Sequence, residues 1–129
     1  MEHSQKRKGT LLADFTPLGK DSTLNELSII DIVVGDGQEV PSGATITAHY
    51  TGALCNDGTI FESSHDSGSP ATFGLHQVIA GWTKGVPGMK VGGTRRLIIP
   101  AALAYGSRGV SSDIGPNSDL VFDIELVSF

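Results

Sequence analysis

The chain has 129 residues, a length typical of one domain, and 39% of its residues are hydrophobic while 18% are charged. This composition allows a packed core and excludes a wholly disordered chain. Nine Lys and Arg against fourteen Asp and Glu leave a formal charge of −5. That balance argues against binding to nucleic acid or to an anionic membrane surface, because both require a basic face on the protein.

Residues 1–24 are predicted to form an N-terminal extension that is peripheral or poorly ordered. It carries a basic cluster, Lys6 to Lys8, but Asp14 and Pro17 interrupt the apolar residues that follow, so no secretory signal is recognised. The single cysteine, Cys55, cannot form an internal disulfide. No apolar run approaches the ~20 residues that span a bilayer. We therefore expect a cytoplasmic protein with neither a membrane nor a nucleic-acid partner.

Strand patterns begin just after this extension. Five segments are apolar or alternate between apolar and polar residues, namely residues 27–34, 45–54, 59–62, 94–99 and 120–126. The clearest alternation places Ile46, Ala48 and Tyr50 on one face of the second segment and His49 on the other. Asp57 and Gly58 then match the chemistry of a hairpin turn.

One helix is predicted, from Gln77 to Val86. Val78, Ile79, Trp82 and Val86 recur on one face at helical spacing. Two glycines within the segment and Pro87 after it predict that the helix is short and depends on packing for its stability. Residues 25–129 are therefore predicted to form an α+β domain, in which one antiparallel sheet of about five strands folds over one short helix.

The motifs of common enzyme classes are absent from the sequence, which has no serine elbow, phosphate-binding loop or metal-binding helix. The four histidines lack the spacing of metal ligands, so neither a metal nor a cofactor is expected. Cys55 has no basic neighbour in sequence to activate its thiol. His65 and Asp66 could join a nearby serine in a hydrolase triad, and we rank that hypothesis third.

Six aromatic residues are spread along the chain, about one in each predicted element: Tyr50, Phe61, Phe73, Trp82, Tyr105 and Phe122. They could simply form the core, or they could line a pocket. The segments around them favour a pocket, because they occur in a family order: 48–52 (AHYTG), 58–64 (GTIFESS), 78–82 (VIAGW), 88–93 (GMKVGG), 104–106 (AYG) and 120–123 (LVFD). From about residue 25 to residue 129 the chain resembles the FKBP-type peptidyl-prolyl cis-trans isomerases, the immunophilins that bind tacrolimus and rapamycin. It is most similar to bacterial single-domain members.

The resemblance implies a five- to six-stranded antiparallel sheet wrapped around the helix, with an apolar pocket for a proline side chain between them. It implies catalytic roles for Tyr50, Phe61, Glu62, Trp82, Tyr105 and Phe122, and substrate-binding roles for Phe73, Val78, Ile79 and Ile114. Trp82 would form the floor of this pocket. The Ile79 backbone N–H and the Tyr105 hydroxyl would donate hydrogen bonds to substrate carbonyls.

The implied activity is acceleration of X-Pro isomerisation during protein folding, with no cofactor. The expected partners are proline-containing peptides and folding proteins, and tacrolimus or rapamycin as ligands, with the protein acting as a monomer. The sequence departs from the family pattern at Glu62, where Asp is usual, at Ala71 on a wall that is often aromatic, and at Val110 and Asp113 in the late loop. These departures keep a second hypothesis open, a non-catalytic proline-peptide binding or chaperone module using the same pocket.

Overall fold

The computed structural model describes residue 12 and residues 15–19, 24–109 and 114–129. Within them the chain forms six strands and one α-helix: β1 (Ser28–Val33), β2 (Thr45–Leu54), β3 (Ile60–Ser63), β4 (Ala71–Gly74), α1 (Ala80–Gly85), β5 (Thr94–Ile99) and β6 (Leu120–Ser128). Two short 3-10 helices, Ser64–Asp66 and Ala101–Leu103, follow β3 and β5. The predicted α+β class, with a sheet of five to six strands and one short helix, is confirmed. No helix in the described ranges is long and apolar enough to cross a membrane.

All strand pairs are antiparallel, and their order in the sheet is β1-β5-β6-β2-β3. The strand β2 is long enough to pair along one edge with two short strands, β4 near its start and β3 near its end. Its other edge pairs with β6 over most of its length. Because β2 contacts three strands, its inward side chains Ile46, Ala48 and Tyr50 are all buried. The alternation seen in the sequence is therefore the alternation between the two faces of a central strand.

The helix is shorter than predicted, since α1 begins at Ala80 and not at Gln77. Ile79 has an extended backbone, with φ −60° and ψ 151°, and its carbonyl accepts hydrogen bonds from the N–H groups of Trp82 and Thr83. Gln77 belongs to a tight turn in which its N–H donates to the Gly74 carbonyl. The β-branched side chains of Val78 and Ile79 favour this extended approach to the helix.

The strand β4 was not predicted. Its four residues follow a loop rich in Ser and Gly and are too few for a recognisable alternation. Pairing with β2 creates this strand, with Ala71 opposite Ala48 and Phe73 opposite Ile46. The strand therefore depends on a tertiary contact and not on local sequence preference.

The helix α1 lies very close to the inner face of the sheet. A Cβ atom at Gly81 would come within 2.6 Å of the Ile99 side chain, and one at Gly85 within 2.6 Å of Leu97. Arg95 fixes the end of the helix, because its guanidinium donates to the Gly85 carbonyl at 2.9 Å and also binds Asp31 of β1 at 2.7 Å. Two strands and the helix are thus joined by one side chain.

The outer face of the sheet is covered in part by the described residues of the N-terminal extension. Leu12 packs in a small apolar cluster with Cys55 and Val121, while Phe15 lies partly buried against it. The Leu12 N–H donates at 2.9 Å to Asp123, whose carboxylate forms a buried ion pair with Arg96 at 2.7 Å. These contacts place residues 12 and 15 against the outer face of the sheet.

We predict that Gly81→Ala destabilises the protein by about 1–3 kcal/mol, because the added methyl group overlaps Ile99. The direction of the change in stability is informative, because replacing glycine by alanine within a helix otherwise stabilises the helix by up to ~1 kcal/mol. Urea unfolding followed by far-UV circular dichroism measures the difference. The control is Lys84→Ala, an exposed position of the same helix, which should change stability by less than about 0.5 kcal/mol. A Gly81→Ala protein as stable as the wild type would contradict the close packing.

Candidate functional site

A cavity of about 520 Å³ opens between the inner face of the sheet and α1. Its lining is mostly aromatic and aliphatic and consists of Tyr50, Phe61, Glu62, Phe73, Gln77, Val78, Ile79, Trp82, Tyr105, Ile114 and Phe122. All ten residues predicted as site residues lie around this one cavity, although their separate roles stay predictions. The size and the apolar lining are typical of a small-ligand site.

Each part of the fold contributes a small number of these side chains. Tyr50 comes from β2, Phe61 and Glu62 from β3, Phe73 from β4 and Phe122 from β6. The helix α1 contributes Trp82, and its extended approach contributes Val78 and Ile79. Tyr105 and Ile114 come from the connection between β5 and β6. The site therefore exists only when the sheet has closed over the helix.

Trp82 is the centre of the cavity's aromatic cluster. Its ring lies edge-on to three others, with centroid distances of 5.7 Å to Tyr50, 5.0 Å to Phe73 and 5.4 Å to Phe122. Such edge-to-face pairs are favoured by the quadrupoles of the rings and fix their relative orientation. Trp82 is only 3% exposed, which is consistent with its predicted position at the floor.

Gly52 of β2 makes room for two of the walls. A Cβ atom at this position would lie 2.6 Å from the Phe122 ring and 2.8 Å from the Phe61 ring. Those two rings themselves meet edge to face, with centroids 5.8 Å apart. The glycine that follows Tyr50 and Thr51 in the sequence is thus explained by close approach of side chains.

The hydrogen-bond donors of the cavity are few. The backbone N–H of Ile79 makes no hydrogen bond to any residue that the structure describes, which leaves it available to a ligand. The buried indole N–H of Trp82 also lacks an acceptor within the described ranges. An unpaired buried donor costs about 1–3 kcal/mol, so such groups require an explanation. In an apolar cavity, the explanation we favour is that the site is built for a ligand.

Glu62 is the only charged residue among those described around the cavity. Burial raises the pKa of Tyr50 strongly, and the hydrogen bond and negative charge of Glu62 raise it further. The pKa of Tyr105 is raised for the same reasons, burial first and the charge of Glu62 second. Both phenols therefore stay protonated at neutral pH and can donate hydrogen bonds.

Several sequence predictions fall elsewhere. Gln77 lines the cavity although it was not predicted as a site residue, and the only available signal was its position beside Val78. Ala71 lies on the same inner face, opposite Ala48, and packs against the core, but it is not among the residues that line the cavity. Val110 and Asp113 lie outside the described residues.

The hydrolase hypothesis is not supported by the described residues. The serine that meets a histidine is Ser64, whose Oγ lies 2.9 Å from Nδ1 of His49. That Oγ also accepts the Tyr50 N–H at 2.8 Å, and Ser64 is 6% exposed, so the hydroxyl joins the segment after β3 to β2 and a substrate cannot reach it. His65 stacks on His49 with centroids 4.2 Å apart.

Two other kinds of chemistry find no support either. Burial raises the pKa of the Cys55 thiol to about 12, so it is not a reactive nucleophile. No group of His, Cys, Asp and Glu residues in the described part of the chain is placed to hold a metal ion.

We predict that neither tyrosine is half ionised at pH 10.0, the ordinary pKa of the phenol, and that Tyr105 ionises before Tyr50. Glu62→Gln should lower both pKa values, because removing a nearby negative charge favours the tyrosinate. Absorbance at 295 nm during alkaline titration measures this, with the urea-unfolded chain as reference. Glu26→Gln is the charge-matched control, since Glu26 is exposed and precedes β1 at the opposite edge of the sheet from β3. If both tyrosines titrated together near pH 10, the prediction that their pKa values are raised to different extents would be wrong.

Comparison with known proteins identifies the family. Residues 36–127 match the FKBP-type peptidyl-prolyl cis-trans isomerase family. The chain is 45% identical over 117 residues to peptidyl-prolyl cis-trans isomerase FPR2 of Saccharomyces cerevisiae, covering 82% of this chain and 87% of that protein. It is 47% identical over 106 residues to an FK506-binding protein of Streptomyces anulatus, covering 80% and 86% respectively.

Solved structures agree with this assignment. The crystal structure of AtFKBP13 superposes with a TM-score of 0.73 at 43% identity, covering 82% of this chain and 94% of that chain. The crystal structure of FkpA from Escherichia coli gives a TM-score of 0.74 at 38% identity, covering 84% of this chain and 52% of that chain. With the family matched over most of the domain and the aromatic cavity in place, this chain belongs to the FKBP-type peptidyl-prolyl cis-trans isomerases.

Proposed function

We propose that this chain accelerates X-Pro isomerisation in folding proteins by holding the twisted amide in the cavity around Trp82. The observation that carries the proposal is the aromatic cluster itself, in which Tyr50, Phe73 and Phe122 surround the indole edge to face. A flat, apolar five-membered ring fits such walls. The two relatives and the family match support an isomerase of this type.

The reaction needs no nucleophile. Rotation about a peptide bond is opposed by ~18–20 kcal/mol because resonance gives the C–N bond partial double-bond character. For X-Pro the two isomers differ by only about 0.5–1 kcal/mol, so a catalyst only has to lower the barrier. The planar amide is more dipolar than the twisted one. A cavity that excludes water therefore disfavours the planar ground state relative to the twisted transition state.

Orientation supplies the second contribution. The Ile79 N–H, which has no acceptor among the described residues, and the Tyr105 hydroxyl can hold carbonyls on either side of the bond while the proline ring stays clamped. A rate gain of 10⁴–10⁶ would require about 5–8 kcal/mol from desolvation and orientation together. These are ordinary magnitudes for a preorganised site.

The proposed ligands are proline-containing segments of folding proteins and the drugs FK506 (tacrolimus) and rapamycin. The name of the Streptomyces relative, an FK506-binding protein, supports the drug part of this proposal. One chain contributes every residue around the cavity, so we propose that the protein acts as a monomer.

The test is cis-trans exchange of an Ala-Leu-Pro-Phe peptide, followed by NMR exchange spectroscopy with and without FK506. We expect catalysis that FK506 suppresses. FK506 binding without catalysis would replace the proposal with the alternative of a non-catalytic binding module. Absence of both would leave the fold and family without the proposed activity.

We predict that Trp82→Ala and Phe122→Ala each lower kcat/KM at least about tenfold, which corresponds to about 1.4 kcal/mol, because each removes an aromatic wall of the cavity that is proposed to hold the proline ring. Tyr105→Phe, which removes a hydroxyl from a residue that is 37% exposed, should fold normally and lose a few-fold. Lys84→Ala, exposed on the same helix as Trp82, is the control and should match the wild type. Wild-type rates in both Trp82→Ala and Phe122→Ala would disprove the cavity as the site.

A further inference from the structure

The charge distribution around the cavity is one-sided. Among the described lining residues Glu62 is the only one with a charge, and no Lys or Arg faces it from that lining. The carboxylate accepts a hydrogen bond from the Tyr50 hydroxyl. A ligand in the cavity therefore meets one negative group and no positive group among the described lining residues.

Glu62 is located at the rim of the cavity. It is exposed, whereas Trp82 at the floor is 3% exposed and Tyr50 is 9% exposed. Tyr105, the other rim residue, is 37% exposed, and the charge of Glu62 acts on its hydroxyl as well as on that of Tyr50. The carboxylate is thus close to both phenols while remaining open to solvent.

The size of the cavity decides which part of a substrate reaches this rim. A proline ring fills only part of a volume of about 520 Å³, so the residues directly before and after it also lie within the cavity or at its rim. With the ring against Trp82, the residues directly before and after the proline must cross the rim as the peptide leaves the cavity. Their side chains are therefore the ones that come nearest to Glu62.

We infer that Glu62 selects substrates with a Lys or Arg side chain directly beside the proline and disfavours those with Asp or Glu there. This inference rests on the proposed isomerase activity and adds a substrate class to it. Ion pairs between exposed groups are weak, so the expected preference is modest, about two- to fivefold in kcat/KM for the basic over the acidic peptide. Like charges beside the proline should lower kcat/KM by a similar factor.

The experiment compares NMR exchange rates of peptides that differ only in the residue beside the proline. Ala-Lys-Pro-Phe, Ala-Leu-Pro-Phe and Ala-Glu-Pro-Phe test the preceding position, and Ala-Leu-Pro-Lys and Ala-Leu-Pro-Glu test the following one. A direct exchange measurement avoids a coupling protease, whose own charge preference would distort the ratios. We expect a Lys-to-Glu ratio above one in at least one position, and we expect that ratio to fall as NaCl rises from about 0.05 M to about 0.5 M.

Three variants test whether Glu62 causes the charge preference. Glu62→Gln keeps an oxygen that can accept from the Tyr50 hydroxyl but removes the charge, so the Lys-to-Glu ratio should fall to about one. Glu62→Asp keeps the charge and should retain most of the ratio. Glu26→Gln removes the same charge at the far edge of the sheet and should leave the wild-type ratio unchanged.

The outcomes separate the two proposals. Catalysis of every peptide with equal rates, or a ratio that survives in Glu62→Gln, would overturn the role of Glu62 and leave the isomerase activity standing. Catalysis of none of the peptides would overturn the activity itself. A ratio lost equally in Glu26→Gln would assign the preference to the overall charge of the protein, and would also overturn the inference.

Discussion

The close approach of α1 to β5 is the constraint on which the rest of the structure depends. Gly81 and Gly85 allow the helix backbone to rest on Ile99 and Leu97 at distances that any side chain would prevent. This brings Trp82 low enough for its ring to meet Tyr50, Phe73 and Phe122. A helix only a methyl group further away would separate these rings and leave the cavity without its floor. Packing against the sheet also stabilises a helix of six residues that could not form alone.

Side chains of the strand β2 make contacts on both faces of the sheet. On its inner face Tyr50 forms part of the cavity, and on its outer face His49 and Thr51 contact Ser64 and Ser63. Ser64 also accepts the Tyr50 N–H, so the segment that follows β3 is tied to the backbone of a cavity residue. The Ser64 hydroxyl on the outer face thus helps to fix the backbone of Tyr50, whose side chain lines the cavity on the inner face. The buried Arg96–Asp123 ion pair has a comparable role between β5 and β6, because the Asp123 carboxylate also accepts a hydrogen bond from the Leu12 N–H.

The cavity combines few polar groups with many apolar ones, which suits a reaction that breaks no covalent bond. Its phenols remain protonated, and the Ile79 N–H and the Trp82 indole N–H have no acceptor within the described ranges. The buried Trp82 donor is costly in the free protein, and a ligand that supplies an acceptor would remove that cost. Glu62 is the one charged residue among the described residues that line the cavity. Because it lies at the rim, its charge acts on the parts of a substrate outside the proline ring.

The sequence alone determined the class of the fold, five of the six described strands and the ten residues that gather at the cavity. The strands are recognisable because alternation is a local property that the folded sheet preserves, whereas the ten residues were predicted from the resemblance of their motifs to the FKBP-type family. The tertiary structure alone decided that Ala71 to Gly74 form a strand, and that Gln77 lines the cavity while Ala71 does not. Both depend on which segment packs against which: β4 exists because β2 pairs with it, and the lining is set by the segments that close over α1. Contacts between residues distant in sequence have no local signature, so they appear only when the chain has folded.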